Sequence, residues 1–181
     1  YLVDGPWQEV FERLHGPERS LERLVPPFVP LGDVGVEAVF RGEEIGKRAI
    51  TSSEGDLPIL LGGQSVRRYG IRWEGRRTAR GAVSKPLEWY LPPKIVLQKS
   101  SAKLVAALDT EGYVVPQSVY GIKLRPEGYH LLYVLALLNS SFLNDYAFRA
   151  FTGYKLVQPQ IELEDLRRLP IRAVPFSLKP D

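Results

Sequence analysis

Apolar residues recur along the chain with two different periods, and each change of period marks an element. Near the N-terminus Trp7, Val10, Phe11 and Leu14 fall at i, i+3, i+4 and i+7, the stripe of a short helix. Asp4 can cap it, Pro6 sits near its first turn, and Gly16-Pro17 ends it. Pro26-Pro27-Phe28-Val29-Pro30 is an extended connector. The period then falls to two, with Val34, Val36, Ala38 and Phe40 on one face of a strand. Gly42-Glu43-Glu44-Ile45-Gly46 turns the chain, and Leu57-Pro58-Ile59-Leu60-Leu61 is a short buried strand closed by Gly62-Gly63.

Residues 70–92 are rich in Gly, Arg and Pro and read as a long loop or ribbon, a length that usually carries function or mobility. Beyond them Lys94 to Lys99, Lys103 to Asp109, Tyr113 to Val115 and Ser118 to Leu124 are strands. Ser100-Ser101 and Glu111-Gly112 are turns, with a break near Pro116. From His130 to Phe151 the residues Leu131, Leu135, Leu138, Phe142, Tyr146 and Ala150 keep a helical spacing, which predicts one long core helix ended by Gly153. Glu162 to Leu169 is a second short helix, acidic first and Arg167-Arg168 last, as the macrodipole favours. The expected class is α+β: a mixed, mostly antiparallel sheet from residues 34–124 packed on one long helix at 130–151, with short terminal helices.

Composition narrows the chemistry. A chain of 181 residues suits a single domain with a real core. The absence of Cys excludes Cys-ligated zinc, iron–sulfur clusters, disulfide scaffolds and Cys nucleophiles. His15 and His130, far apart, argue against a His-rich metal site. The start carries no basic and apolar leader, and the longest apolar stretch, Leu131 to Leu138, gives way to Asn139-Ser140-Ser141 too soon to span a bilayer. A cytoplasmic location is expected. An opening at Tyr1 without Met suggests a segment of a longer protein.

The net charge of +3 hides an uneven distribution. Residues 1–66 carry −5, residues 67–103 carry +8, and residues 104–181 carry zero. The basic stretch holds Arg67, Arg68, Arg72, Arg76, Arg77, Arg80, Lys85, Lys94, Lys99 and Lys103, interleaved with Tyr69, Trp73, Trp89 and Tyr90. Such a segment is the footprint of a polyanion-binding surface. Arg suits the task because its planar fork pairs with phosphates and with guanine edges and stacks on rings. The alternative is a solvated loop whose cations pair with the acidic N-terminal third.

Catalytic signatures are missing. A restriction-type nuclease places a Lys two residues after an acidic metal ligand, but Ile45, Val83, Pro92, Leu97, Ser101, Gly121, Gly153 and Ser177 precede the eight lysines at that spacing. An amino-methyltransferase needs an Asn/Asp-Pro-Pro-aromatic loop, whereas here Leu91 precedes Pro92-Pro93 and Lys94 follows. There is no phosphate-binding or dinucleotide-binding glycine loop and no nucleophile elbow. Asp109/Glu111 and Glu162/Glu164/Asp165 are better explained as turn and helix-start residues than as catalytic pairs. Binding is therefore favoured over catalysis for this segment. A protein-interaction module of a larger complex, or a small enzyme using His130 or the 109–113 turn without a known motif, remain as alternatives.

From Pro93 onward the sequence becomes specific. Pro93-Lys94-Ile95-Val96-Leu97-Gln98-Lys99, Ala106-Ala107-Leu108-Asp109-Thr110-Glu111-Gly112-Tyr113 and Gln117-Ser118-Val119-Tyr120-Gly121-Ile122 are followed by Tyr133-Val134-Leu135-Ala136-Leu137-Leu138-Asn139-Ser140. Pro159-Gln160-Ile161 and Leu166-Arg167-Arg168-Leu169-Pro170-Ile171 complete the set. This series over 93–171 resembles the TaqI-like C-terminal specificity domain of restriction–modification methyltransferases, and more distantly the target recognition domains of type I specificity subunits. Leu57 to Leu60 through Arg68-Tyr69 resembles the strand before the variable region of that family. Residues 1–56 depart from it, since the usual Gly-rich run is reduced to Phe40-Arg41-Gly42-Glu43-Glu44.

The resemblance implies one target-recognition domain over 1–181, with 67–93 as the variable DNA-reading region and 94–181 as the best-matched part. It implies a partner, double-stranded DNA, and a methyltransferase domain acting in cis or in trans on adenine N6, with or without a nuclease. It implies no cofactor in this chain, S-adenosylmethionine belonging to the parent enzyme. Phosphate contacts are then expected from Arg67, Arg68, Lys94, Lys99 and Lys103. Guanine contacts are expected from Arg72, Arg76, Arg77 and Arg80, and further base contacts from Gln98, Tyr154, Lys155, Gln158 and Gln160. Gln160 serves equally as a structural amide, and Trp73 and Trp89 either stack on DNA or anchor the loop, with anchoring favoured for Trp89.

Overall fold

A computed structural model describes residues 28–51, 55–153 and 159–172. The helix expected at 7–14 and the candidates Tyr154, Lys155 and Gln158 lie outside the described residues. In chain order the strands are β1 (Phe28–Pro30), β2 (Val36–Arg41), β3 (Ile50–Thr51), β4 (Leu57–Pro58), β5 (Val66–Arg67), β6 (Gly70–Ile71), β7 (Arg77–Thr78), β8 (Lys94–Gln98), β9 (Ala106–Asp109) and β10 (Val119–Leu124). The helices α1 (Leu131–Leu138), α2 (Ser141–Ala147) and α3 (Leu163–Arg167) follow, and β11 (Pro170–Arg172) closes the series. The class is α+β. The expected sheet over 34–124 is divided: a central antiparallel sheet runs β2-β10-β8-β9, while β3-β7-β4, β5-β6 and β1-β11 form separate small sheets.

Strand alternation gives the central sheet two buried faces. Ile95 and Leu97 of β8, with Tyr120 and Ile122 of β10, point to one side and pack on Val134, Leu138, Leu143 and Tyr146 of the helices. Val96 and Val119 point to the other side and pack on Phe40, Ile59, Leu60, Tyr90 and Val114. Burial on both faces explains why β8 reads as a nearly continuous apolar run. The same alternation puts Lys94 and Gln98 on the Val96 side, beneath the basic loops. Gly121 is required on that side, because a Cβ there would lie 2.3 Å from Cζ of Phe40.

The single long helix is not what forms. Residues 131–152 are broken into α1, α2 and a π turn over Phe148–Thr152. Asn139 ends α1, its N–H donating to the Leu135 carbonyl at 3.1 Å, and Ser140 starts α2 by accepting from the Leu143 N–H at 3.2 Å. Asn and Ser favour caps over helix interiors, because their short polar groups bond to nearby backbone. The periodicity of the apolar residues runs across this break without registering it. The short helix expected at 162–169 forms as α3, with Glu164 and Asp165 in its first turn. Among the described residues no helix is long and apolar enough to cross a membrane.

The break also serves the sheet. The Asn139 side chain accepts from the Ala106 N–H at 3.1 Å and donates to the Ala106 carbonyl at 2.9 Å, so its amide replaces a neighbouring strand at the β9 edge. Asn144 continues this edge by accepting from the Leu104 N–H at 2.6 Å. On the far side Arg167 donates to the Val39 carbonyl of β2 at 2.9 Å.

Tyr120 links the sheet to the segment before α3. Its hydroxyl donates to the Ile161 carbonyl at 3.0 Å in a buried setting. Burial, reinforced by Glu162, pushes the phenol up from 10.0 to about 12. A raised folded-state value means that the protonated phenol is favoured by folding, so this stabilisation is complete below pH 10 and is lost as pH rises through about 12. Stability measured by denaturant titration is therefore expected to fall across that alkaline window, and Tyr120→Phe should flatten the fall. A variant with an unchanged alkaline profile would contradict this assignment.

Candidate nucleic-acid interface

The basic stretch is a ribbon of short strands and 3₁₀ turns laid on the Val96 side of the sheet. One buried carboxylate fixes its second half. Glu43, 2% exposed, accepts from Ser84 Oγ at 2.6 Å, the Lys85 N–H at 2.9 Å and the Tyr90 hydroxyl at 2.9 Å, with Lys85 Nζ at 3.5 Å. Burial alone would raise the Glu43 carboxyl. The hydrogen bonds from Ser84, Lys85 and Tyr90 outweigh it and hold the group below its ordinary value of 4.5. Burial, and then the nearby Glu43 charge, push the Tyr90 phenol upward.

The end of the ribbon is fixed by a second buried charge. Lys94 and Asp109 face each other across β8 and β9, both fully buried, and Lys94 Nζ donates to Asp109 Oδ2. It also donates to the Tyr90 carbonyl at 2.7 Å. Burial pushes the Lys94 ammonium below its ordinary value, against the pull of Asp109. The Asp109 carboxylate in turn accepts the N–H groups of Glu111, Gly112 and Tyr113, each at 2.9 Å. That is the turn role expected of Asp109. Lys94, by contrast, is not the phosphate contact expected of it: a fully buried ammonium bonded inside the fold does not reach a DNA phosphate.

Other predicted contact residues are bonded within the fold or partly withdrawn from the surface. Arg77 donates from Nε to the Gly55 carbonyl at 2.7 Å and from Nη2 to the Asp56 carbonyl at 2.9 Å, so its fork grips a loop where a guanine edge was expected. Gln98 Nε2 donates to the Val66 carbonyl at 2.6 Å and ties β8 to β5. Lys99 is half-buried, with Nζ 3.9 Å from Glu162. Gln160 bridges to Ser100 as a short antiparallel pair. Arg76 is half-buried, and its carbonyl accepts from the indole of Trp73 at 3.0 Å. Trp73 packs on Tyr113 with ring centres 5.8 Å apart, and Trp89 packs on Phe40 at 5.2 Å, so both anchor the ribbon.

Arg67, Arg68, Arg72, Arg80 and Lys103 remain exposed. Most of them gather at one place. The hairpin β5–β6 turns at Arg68-Tyr69, and the Tyr69 N–H donates to the Ala106 carbonyl of β9 at 2.9 Å. Arg68 Nη2 donates to the Asn139 carbonyl at 2.6 Å, between α1 and α2. Lys103 lies just before Leu104, whose N–H is held by Asn144. Hairpin, β9 edge and helix break therefore converge to display Arg67, Arg68, Arg72 and Lys103, while Arg80 sits apart on its own 3₁₀ turn. Sequence reasoning missed the roles of Glu43, Asn139 and Asn144, and named Tyr69 only as one of the aromatics interleaved in the basic stretch. The Asn139 and Asn144 signals were present as polar interruptions in an apolar helix; an isolated Glu43 gave none.

A cleft of about 600 Å³ opens along β2 and α3, lined by Asp33, Glu37, Trp89, Glu164, Arg167 and Arg168. Three carboxylates against two guanidiniums do not suit a polyanion.

Fold and surface together define a small α+β binding domain that presents guanidiniums on a hairpin braced against a doubly buried sheet. Residues 57–171 match the TaqI-like C-terminal specificity domain, and the chain belongs to that family of restriction–modification specificity domains. No curated protein sequence matches the chain significantly. Among solved structures, a chain from work on complex assembly and conformational transition of the type I R-M system aligns with a TM-score of 0.61 at 13% identity, over 93% of this chain and 39% of that one. The HsdS subunit from Thermoanaerobacter tengcongensis aligns at 0.54 and 14% identity, over 90% and 40%. The type I restriction–modification S subunit from M. genitalium aligns at 0.51 and 18%, over 80% and 33%. These likenesses establish a shared fold, and the chain spans two fifths or less of each of those chains.

Replacing Lys94 by Met is expected to destabilise the domain by about 3–5 kcal/mol in chemical denaturation, because Asp109 would be left as an uncompensated buried charge. A variant as stable as the parent would contradict the structural role assigned to this lysine.

Proposed function

We propose that this domain reads duplex DNA sequence for a restriction–modification enzyme and holds the DNA for methylation of adenine N6 by a methyltransferase domain acting in cis or in trans. The observation that carries the reading is that the family-matched span 57–171 contains the +8 stretch, with three of its four exposed guanidiniums, those of Arg67, Arg68 and Arg72, gathered at one braced hairpin. The parent enzyme is of type II or IIG, with or without a fused nuclease, and works in the cytoplasm. S-adenosylmethionine is held by the methyltransferase domain and not by this chain.

The exposure of some cations and the internal bonding of others support a division of labour. Arg67, Arg72 and Lys103 replace counterions along the phosphates and set register. Arg80, exposed on its own 3₁₀ turn, adds a further contact. Lys94, Gln98 and Arg77 act indirectly, by fixing the surface on which the others stand. Specificity then resides in the shape of a stiff ribbon, which suits base reading because each side chain must be placed to within a fraction of an ångström.

Duplex binding should weaken steeply as salt rises, and Arg67→Ala and Lys103→Ala should each reduce the slope of log K against log salt by about one. A salt-independent affinity would overturn the proposal.

A further inference from the structure

Among the described residues Tyr69 is the non-glycine residue with a positive φ, 64°. It occupies the second position of the two-residue turn between Arg67 and Gly70, where a left-handed backbone favours Gly or Asn. A tyrosine there is strained, and strain persists only where the surroundings impose it. They do so here: Tyr69 N–H is held by Ala106, Arg68 by the Asn139 carbonyl, and the hairpin strands by Gln98 to Val66 and Arg72 N–H to the Ser65 carbonyl at 2.8 Å. Yet the residue is 55% exposed. Core packing therefore does not explain why an aromatic side chain stands at a glycine position.

The ring's setting suggests a use. The Arg68 guanidinium lies over it, 5.5 Å from the ring centre. Arg67 on β5 and Arg72 just after β6, both exposed, flank it along the chain. Trp73, the nearest other aromatic in sequence, is committed to Tyr113 and to the Arg76 carbonyl. We infer that Tyr69 is a specificity-determining residue, whose ring stacks as a wedge on a base step of the bound duplex while Arg67 and Arg72 hold the adjoining phosphates. The inference rests on the DNA-reading function proposed above and names the contact that performs it. An aromatic wedge senses how readily a step unstacks, so it adds sequence preference without a hydrogen bond to a base edge.

The full chain should be used to select duplexes from a randomised library, and affinities then compared for an enriched and a scrambled duplex. Tyr69→Gly is expected to melt at or above the parental temperature, because the left-handed strain is relieved. It should lose roughly five- to hundredfold of the preference for the enriched duplex, the value of a stacked ring, while keeping affinity for the scrambled one. Tyr69→Phe should keep the preference. The inference is overturned if Tyr69→Gly retains the parental preference, if Tyr69→Phe loses it as fully as Tyr69→Gly does, or if Tyr69→Gly melts well below the parent. A parental chain that enriches no sequence would instead overturn the DNA-reading function, and this inference with it.

Discussion

The Lys94–Asp109 pair is the interaction on which the rest depends. Two opposite charges sealed between β8 and β9 lose their hydration and must be compensated inside the fold. The compensation is structural: Asp109 collects the N–H groups of residues 111–113, and Lys94 collects the Tyr90 carbonyl. One pair thus fixes the β9–β10 connection, the end of the basic ribbon and, through the Tyr90 hydroxyl on Glu43, the turn at residues 84 and 85. Removing either charge would release all three together.

A surface that reads sequence must be stiff where it touches and variable where it differs. This ribbon gains stiffness by spending several polar residues on internal bonds. Glu43, Lys94, Arg77 and Gln98 bond to carbonyls, N–H groups and neighbouring side chains of the fold, and leave Arg67 and Arg72 exposed at a braced hairpin and Lys103 exposed before β9. Short strands and 3₁₀ turns tolerate sequence change better than a continuous sheet does, because few ladder bonds depend on any one of them. The central sheet, buried on both faces, supplies the constancy.

The legible parts of the sequence were those with a local cause. Strands β2, β8, β9 and β10 follow from their apolar runs, and α3 from its charge order. Asp109 as a turn residue follows from the Glu111-Gly112 sequence after it. The break at Asn139-Ser140 was visible as two polar residues, yet its purpose was not, since it depends on the distant backbone of Ala106. Basic residues posed a harder problem. Composition marks 67–103 as cationic, but whether a particular cation faces DNA or a carbonyl is decided by strand parity and by partners far away in sequence. Lys94 lies beneath the ribbon on the Val96 side of β8, bonded to Asp109, and Arg77 meets residues 55 and 56, more than twenty positions upstream. The resemblance identified the family, because its motifs record the sheet and its turns, whereas the outward-facing cations of the ribbon form no such pattern.

Amide hydrogen exchange of the full chain with and without duplex DNA tests the central claim most directly. The account predicts added protection at Arg67 to Trp73 and Ser100 to Lys103, the hairpin and the turn beside it, with exchange along the β2–α3 cleft unchanged. Protection confined to that cleft, or none anywhere on the hairpin, would contradict it.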